Sequence, residues 1–209
     1  LRATSFDGFD PDAEANALLP PVLPGDVYPR AEFTEAQAWA LVHVLKSPNH
    51  LKERMAYFLM DRWAASGRAL LSNEKHWVMK LHDLFRNSAL GNWRQICIDV
   101  TKDENMLEWL DNFTNTATAP NENYAREFWE LFTLKVNEYT EQDVREAARA
   151  FTGFEKYRPT GGFSTYARYN LARHDQGMKT IFGITQNFDY LGVIDLTLTR
   201  PAASTSLAE

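Results

Sequence analysis

The chain has 209 residues and a single cysteine, Cys97. It lies between Ile96 and Ile98, where its expected role is that of a small buried hydrophobe. One thiol closes no internal disulfide, so cysteine usage says nothing about redox compartment. Long apolar runs are missing too. Nothing approaches the roughly 18 residues that read as a membrane-spanning helix, so no transmembrane segment is expected. A basic stripe is also absent. The 22 Lys and Arg are interspersed with 28 Asp and Glu, for a formal net charge of −6. Nucleic-acid binders usually show a basic patch, so nucleic acid is not an expected partner. There is no Cys/His zinc spacing, no Gly-rich phosphate loop and no Gly-x-Ser-x-Gly elbow. No cofactor and no metal is therefore expected. No cleavable signal segment is visible, and a chain opening at Leu1 is expected to be processed or partial.

What is present is aromatic and helical. Six Trp, eight Tyr and thirteen Phe bring the aromatic share to 13%. Such side chains enrich both cores and interfaces. Residues 1–32 hold five of the nine prolines and read as a Pro-rich extended arm, with at most a short helix near 12–18. Residues 33–153 read as a helical core. Thr34 and Gln37 form a capping box for a helix through Lys46, and Ser47-Pro48-Asn49 breaks it. Further helices are expected over 50–65, 73–87, 92–99 and 104–111, with a Thr- and Asn-rich loop over 112–120. On a helix over 121–134, Tyr124, Phe128, Leu131 and Phe132 share one arc, and Asn123, Arg126, Glu127 and Glu130 the opposite one. Thr140, with Asp143 three residues on, caps a helix ended by Gly153. Residues 154–201 read as loop with a short hairpin near 154–186, then a final helix over 188–199 ended by Pro201. Residues 202–209 are expected to be a flexible tail. The fold class is mainly α, an irregular multi-helix bundle.

Several blocks resemble one family in order: Leu51-Lys-Glu-Arg-Met55, Ala89-Leu-Gly-Asn-Trp-Arg94, Asp103-Glu-Asn-Met-Leu-Glu-Trp-Leu-Asp111, Pro120-Asn-Glu-Asn-Tyr-Ala-Arg-Glu-Phe-Trp-Glu-Leu-Phe-Thr-Leu134, Tyr139-Thr-Glu-Gln-Asp-Val144, Ala150-Phe-Thr-Gly153 and His174-Asp-x-Gly-x-Lys179. On these the chain is identified as a divergent member of DUF1800, a bacterial family whose biochemistry is not established. The resemblance implies a helical fold and a periplasmic or otherwise exported setting. Family members run longer, so the chain is expected to be a shortened relative or part of a longer product. One departure stands out. Where the family commonly has Phe-Trp-His-x-His-Phe, this chain has Phe58-Leu-Met-Asp-Arg-Trp63, and both histidines are gone.

Chemistry could sit in two places. Glu127 and Glu130, one turn apart, could serve as bases or ligands if another helix supplied partners, as in carboxylate-bridged bundles. The structural alternative pairs Arg126 with Glu122 or Glu130 at i±4, with Glu127 and Asn123 fixing neighbouring loops. His174 and Asp175 could be a base and its neighbour. The structural alternative is an Asx turn over Asp175-Gln176-Gly177, with Lys179 at the surface. His76 and His82 lie six residues apart on one helix and point apart, and His43 reads as a core histidine. The favoured expectation is a helical accessory subunit that docks on a protein partner or larger assembly through its arm and exposed aromatics. The alternative is an extracytoplasmic hydrolase or metal-dependent enzyme using Glu127 and Glu130 with His174 and Asp175.

Overall fold

The structure, a computed structural model, describes residues 11–22, 33–67 and 70–206. The fold is mainly α, with two small two-stranded sheets. The chain divides into two compact units, one from 1–92 with 158–166 and one from 93–157 with 167–209.

The first unit holds α1 (Pro11–Asn16), α2 (Phe33–Lys46), α3 (His50–Arg62) and α4 (His76–Ser88). Asn49 caps α3 by accepting from the Lys52 amide, as the Ser-Pro-Asn break requires. α2 starts at Phe33, so Thr34 lies inside the helix rather than at its cap. The described part of the arm packs on α2: Ala15 meets Ala36, Trp39 and Met79, and Asn16 accepts a hydrogen bond from the Trp39 indole at 2.9 Å. Residues 158–166 are tied back by Thr165, which exchanges backbone and side-chain bonds with Asn73 and accepts from the Trp77 indole at 2.7 Å.

Between α3 and α4 lies a buried ion pair. Glu53, with its side chain 1% exposed, receives Nε (3.0 Å) and Nη2 (3.0 Å) of Arg86 in a two-pronged contact. The two-point geometry offsets the loss of water around both charges. Beside it, burial, then Arg86, then His43 hold the His82 imidazole down to about 3.

The second unit holds α5 (Trp93–Thr101), α6 (Glu104–Trp109), α7 (Asn123–Glu127), α8 (Glu141–Ala150), β1 (Phe154–Tyr157), β2 (Tyr166–Tyr169), β3 (Lys179–Ile181), β4 (Ile184–Gln186), α9 (Tyr190–Leu198) and α10 (Pro201–Ser206). Its core stacks Tyr124, Phe128 and Phe151, with ring centroids 5.0–6.3 Å apart. Two expectations change here. The helix over 121–134 is not one α-helix: α7 passes into a π-helical turn, Phe128–Thr133, closed by the Leu134 amide on the Trp129 carbonyl at 2.7 Å. The wider turn rotates the arc. Leu131, expected on the apolar side, is 56% exposed, while Trp129 is fully buried and donates to Thr197 at 2.8 Å. α9 stops at Leu198, ahead of Pro201 as expected, and Pro201 also opens a further helix, since proline suits a first helical position. The expected flexible tail is thus helical to Ser206.

The expected hairpin appears twice, as β1 with β2 and as antiparallel β3 with β4, where Ile181 faces Ile184. The two-residue turn of the second, Phe182-Gly183, has both φ values positive (50° and 78°), as a type I′ turn demands. A left-handed phenylalanine is strained. Asp143 accepts its amide at 2.7 Å, the Trp129 ring lies 4.9 Å away and the Arg200 guanidinium stands 4.3 Å over its ring.

Glu53→Ala removes the two-pronged partner of the buried Arg86 guanidinium, which keeps a longer contact to Asp83 at 3.7 Å, and the expected loss is about 3 kcal/mol. The double change Glu53→Leu with Arg86→Met should recover most of it. Urea unfolding checks both, and a wild-type midpoint for Glu53→Ala would show that the pair holds nothing.

Candidate functional site

The residues singled out in the sequence attach to the two ends of α8. At its N-terminus, Arg126 donates from Nη1 and Nη2 to both carboxylate oxygens of Glu141 (2.8 and 2.7 Å) and from Nη2 to Glu122 (3.1 Å). Its partner is therefore Glu122 together with Glu141, not Glu130. Glu130 instead accepts from the Tyr139 hydroxyl at 3.1 Å, just before the Thr140–Asp143 capping box that starts α8. Burial and the adjacent Glu130 carboxylate push the Tyr139 hydroxyl up to about 12. Glu127 has neither a hydrogen-bond nor an ion-pair partner among the described residues. Burial first, then Glu130, raise its carboxyl above the ordinary range.

Asn123 anchors nothing with its side chain; its amide donates to Asn121 at 3.0 Å. The loop over 112–120 is pinned by asparagines that the sequence reading passed over. Asn112 donates to the Phe151 carbonyl (3.2 Å). Asn115 donates to Asn112 (3.0 Å) and to the Ala148 carbonyl (2.8 Å), and it accepts from the Asn121 amide (2.9 Å). Their Asn-rich spacing was the available signal, because an irregular buried backbone needs side-chain partners.

At the C-terminal end of α8, Arg149 grips Asp175 through Nε (2.7 Å) and Nη2 (3.2 Å), and its Nη1 reaches Glu146 (2.7 Å) and the Met178 carbonyl (3.1 Å). Asp175 also accepts from the Gly177 amide at 2.8 Å, which is an Asx turn. Burial opposes ionisation of Asp175, but the Arg149 and Gly177 bonds hold its carboxyl below the usual range. A Cβ on Gly177 would stand 2.6 Å from Arg149 Nη2, so glycine is what lets the guanidinium approach.

His174 is buried. Its Nδ1 lies 3.1 Å from the Thr152 carbonyl, which can only accept. Nδ1 therefore carries the proton, and burial first of all keeps the ring's affinity for a second proton below the ordinary value. Lys179 corrects the surface expectation. It is 1% exposed, and its ammonium donates to the carbonyls of Asp175 (2.5 Å) and Gly177 (2.9 Å) and to Asn187 Oδ1 (2.9 Å). A buried cation is tolerated when each proton has an acceptor.

The structure does not bring the two carboxylate–histidine halves together. Glu141 and Arg149 are eight residues apart on α8, about 12 Å along a helix rising 1.5 Å per residue. Among the described residues, no three His, Cys, Asp or Glu side chains gather to hold a metal ion. An open cleft of about 450 Å³ lies beside the N-terminal cluster, lined by Asn137, Glu138, Tyr139, Thr140, Asp143, Phe182, Gly183 and Arg200.

The family model described as "Protein of unknown function (DUF1800)" matches residues 24–209. The chain belongs to the DUF1800 family. No curated protein and no solved structure matches it. Three of the DUF1800 blocks carry structural contacts: Glu53 of the first holds Arg86, Asp103 caps α6, and Asp175 of the 174–179 block holds Arg149. Met60 lies against His82, with Sδ 2.7 Å from Nδ1.

Burial holds the folded His174 imidazole below the ordinary histidine range, which is about 6.5 in the unfolded chain. A base whose folded value is depressed loses stability as pH falls below 6.5, because only the unfolded chain takes up the proton. The chain should therefore lose stability on the acid side of 6.5, and His174→Gln should flatten that slope. Equal slopes for both proteins in pH-dependent urea unfolding would contradict the assignment.

Proposed function

We propose that the chain is a helical binding subunit that docks on a protein partner and performs no catalysis of its own. The observation that carries this reading is the apolar character of two solvent-facing helix faces in the first unit. Leu41 and Leu45 are successive turns on the outer side of α2, and Leu51 and Phe58 lie seven residues apart on α3 beside Tyr57. All five are 45–65% exposed. Large apolar groups gathered on a surface mark interaction sites more often than single exposed leucines do. The tryptophans contribute less than the sequence suggested, since Trp39, Trp63, Trp77 and Trp129 are in the core and Trp109 is half exposed. The arm's described part is engaged with α2. Docking through it would use residues 1–10 and 23–32, which lie outside the described residues.

The geometry weighs against the enzymatic alternative because its groups sit at opposite ends of α8 and most are paired. One observation favours it: Glu127, unpaired and with its carboxyl raised, has the chemistry of a general acid or base. The family resemblance supports a bacterial origin and an exported, periplasmic setting for either reading. Among the described residues, no helix is long and apolar enough to cross a membrane.

Light scattering on material purified from its source tests the reading. The wild-type chain should run in a heavier stoichiometric complex, and Leu45→Glu with Phe58→Ser should release it at its own mass with unchanged circular dichroism. A wild-type chain that runs alone and hydrolyses esters or peptides, with loss in Glu127→Gln, would replace this reading with the second.

A further inference from the structure

The open cleft of about 450 Å³ lies wholly within the second unit, and neither reading of function uses it. Its lining comes from the turn ahead of α8, from Phe182-Gly183 at the hairpin tip, and from Arg200 between α9 and α10. Three non-glycine residues among the described ones have positive φ. Two of them, Asn137 (76°) and Phe182 (50°), line this cleft. Asparagine tolerates that region, but for phenylalanine it is costly. Such strain gathers where a chain is shaped around a ligand.

Three charged side chains line the cleft, and one is already satisfied. Asp143 accepts at Oδ2 from the Thr140 amide (2.9 Å) and hydroxyl (2.6 Å), and at Oδ1 from the Phe182 amide (2.7 Å). Glu138 and Arg200 are not satisfied. Nη2 of Arg200 donates to the Glu138 carbonyl at 3.2 Å but stands 3.7 Å from the Glu138 carboxylate, beyond hydrogen-bond reach. Nη1 has no hydrogen-bond partner among the described residues and is not buried. Nε is buried, so a ligand meets the outer edge of the guanidinium, Nη1 and Nη2. The two side chains are 33% and 42% exposed, and the Glu138 carboxylate accepts no hydrogen bond from a described residue.

A lone anion would meet Arg200 but also two carboxylates. A lone cation would meet Glu138 but also the guanidinium beside it. A ligand carrying both charges side by side meets each group with the opposite sign. We propose that this cleft binds the zwitterionic head of a free α-amino acid, its carboxylate on Nη1 and Nη2 of Arg200 and its ammonium on the Glu138 carboxylate. An α-amino acid carries both charges on one carbon, which suits a guanidinium and a carboxylate 3.7 Å apart. The volume falls in the range of small-ligand pockets and leaves room for a side chain. No bond is made or broken; the ligand is bound and held.

Titration calorimetry of the full chain with a panel of free L-amino acids tests this. At least one should bind with a stoichiometry of one. For the tightest, the acid lacking its amine and the amine lacking its carboxylate should each bind at least about tenfold more weakly, since each leaves one charge of the cleft unanswered. Arg200→Gln and Glu138→Gln should each weaken the amino acid by a similar factor. Glu138→Gln should also abolish the preference for the amino acid over its amine-free analogue, which a merely structural role would not do. Circular dichroism shows whether each variant is folded. Glu138→Gln changes an exposed side chain and keeps the test valid if Arg200→Gln unfolds. Absence of binding by every amino acid, equal affinity for the amine-free analogue, or wild-type affinity in Glu138→Gln would overturn the proposal.

Discussion

The Arg149–Asp175 pair is the contact on which the second unit depends. Arg149 belongs to the last turn of α8, and Asp175 opens the loop that leads into β3. Joining them turns the Asp175 backbone so that its carboxylate also closes the Gly177 turn. That turn points the carbonyls of Asp175 and Gly177 at the ammonium of Lys179. Lys179 is the first residue of β3, so its burial fixes where the hairpin starts. The hairpin in turn sets Phe182 against Trp129 and beneath Arg200. A chain of charge-assisted bonds thus runs from one helix end through a loop to Lys179, and ring packing in the hairpin carries it on to the Trp129 indole. Each link is satisfied by the next, which is the condition under which a buried polar network rigidifies a structure.

The same logic explains which parts of the fold were readable. Helices with a strong apolar period and a good cap, such as α3 with Asn49 and α8 with its Thr140–Asp143 box, follow directly from local chemistry. The π-helical turn does not, because nothing in Phe128–Thr133 breaks a helical pattern. The wider turn sets Trp129 within reach of Thr197, and the Thr133 hydroxyl donates to the Phe128 carbonyl. α10 was hidden for a simpler reason: proline stops one helix and starts another equally well, and only the surroundings decide.

The candidate site was legible in its residues but not in its geometry. Spacing alone put Glu122 and Arg126 on one helical face, and their ion pair is observed. The stronger partner of Arg126 is Glu141, fifteen residues on, which no helical spacing could indicate. The Asx turn at Asp175 was readable from Asp-x-Gly. The burial of Lys179 was not, since its acceptors are two backbone carbonyls and the side chain of Asn187, which carry no sequence signature. His82 and Met60 meet across two helices and lie 22 positions apart. Pairs of this kind come from tertiary packing, which overrides anything that local spacing can say.

The charged residues of the 174–179 block serve the architecture of the second unit. The most direct measurement is a double-mutant cycle on Arg149→Met and Asp175→Asn, read by urea unfolding. A coupling energy of about 1–3 kcal/mol is expected for partners joined this way, with both single variants less stable than wild type. Coupling near zero, with wild-type unfolding midpoints in both single variants, would contradict it and return these residues to the search for chemistry.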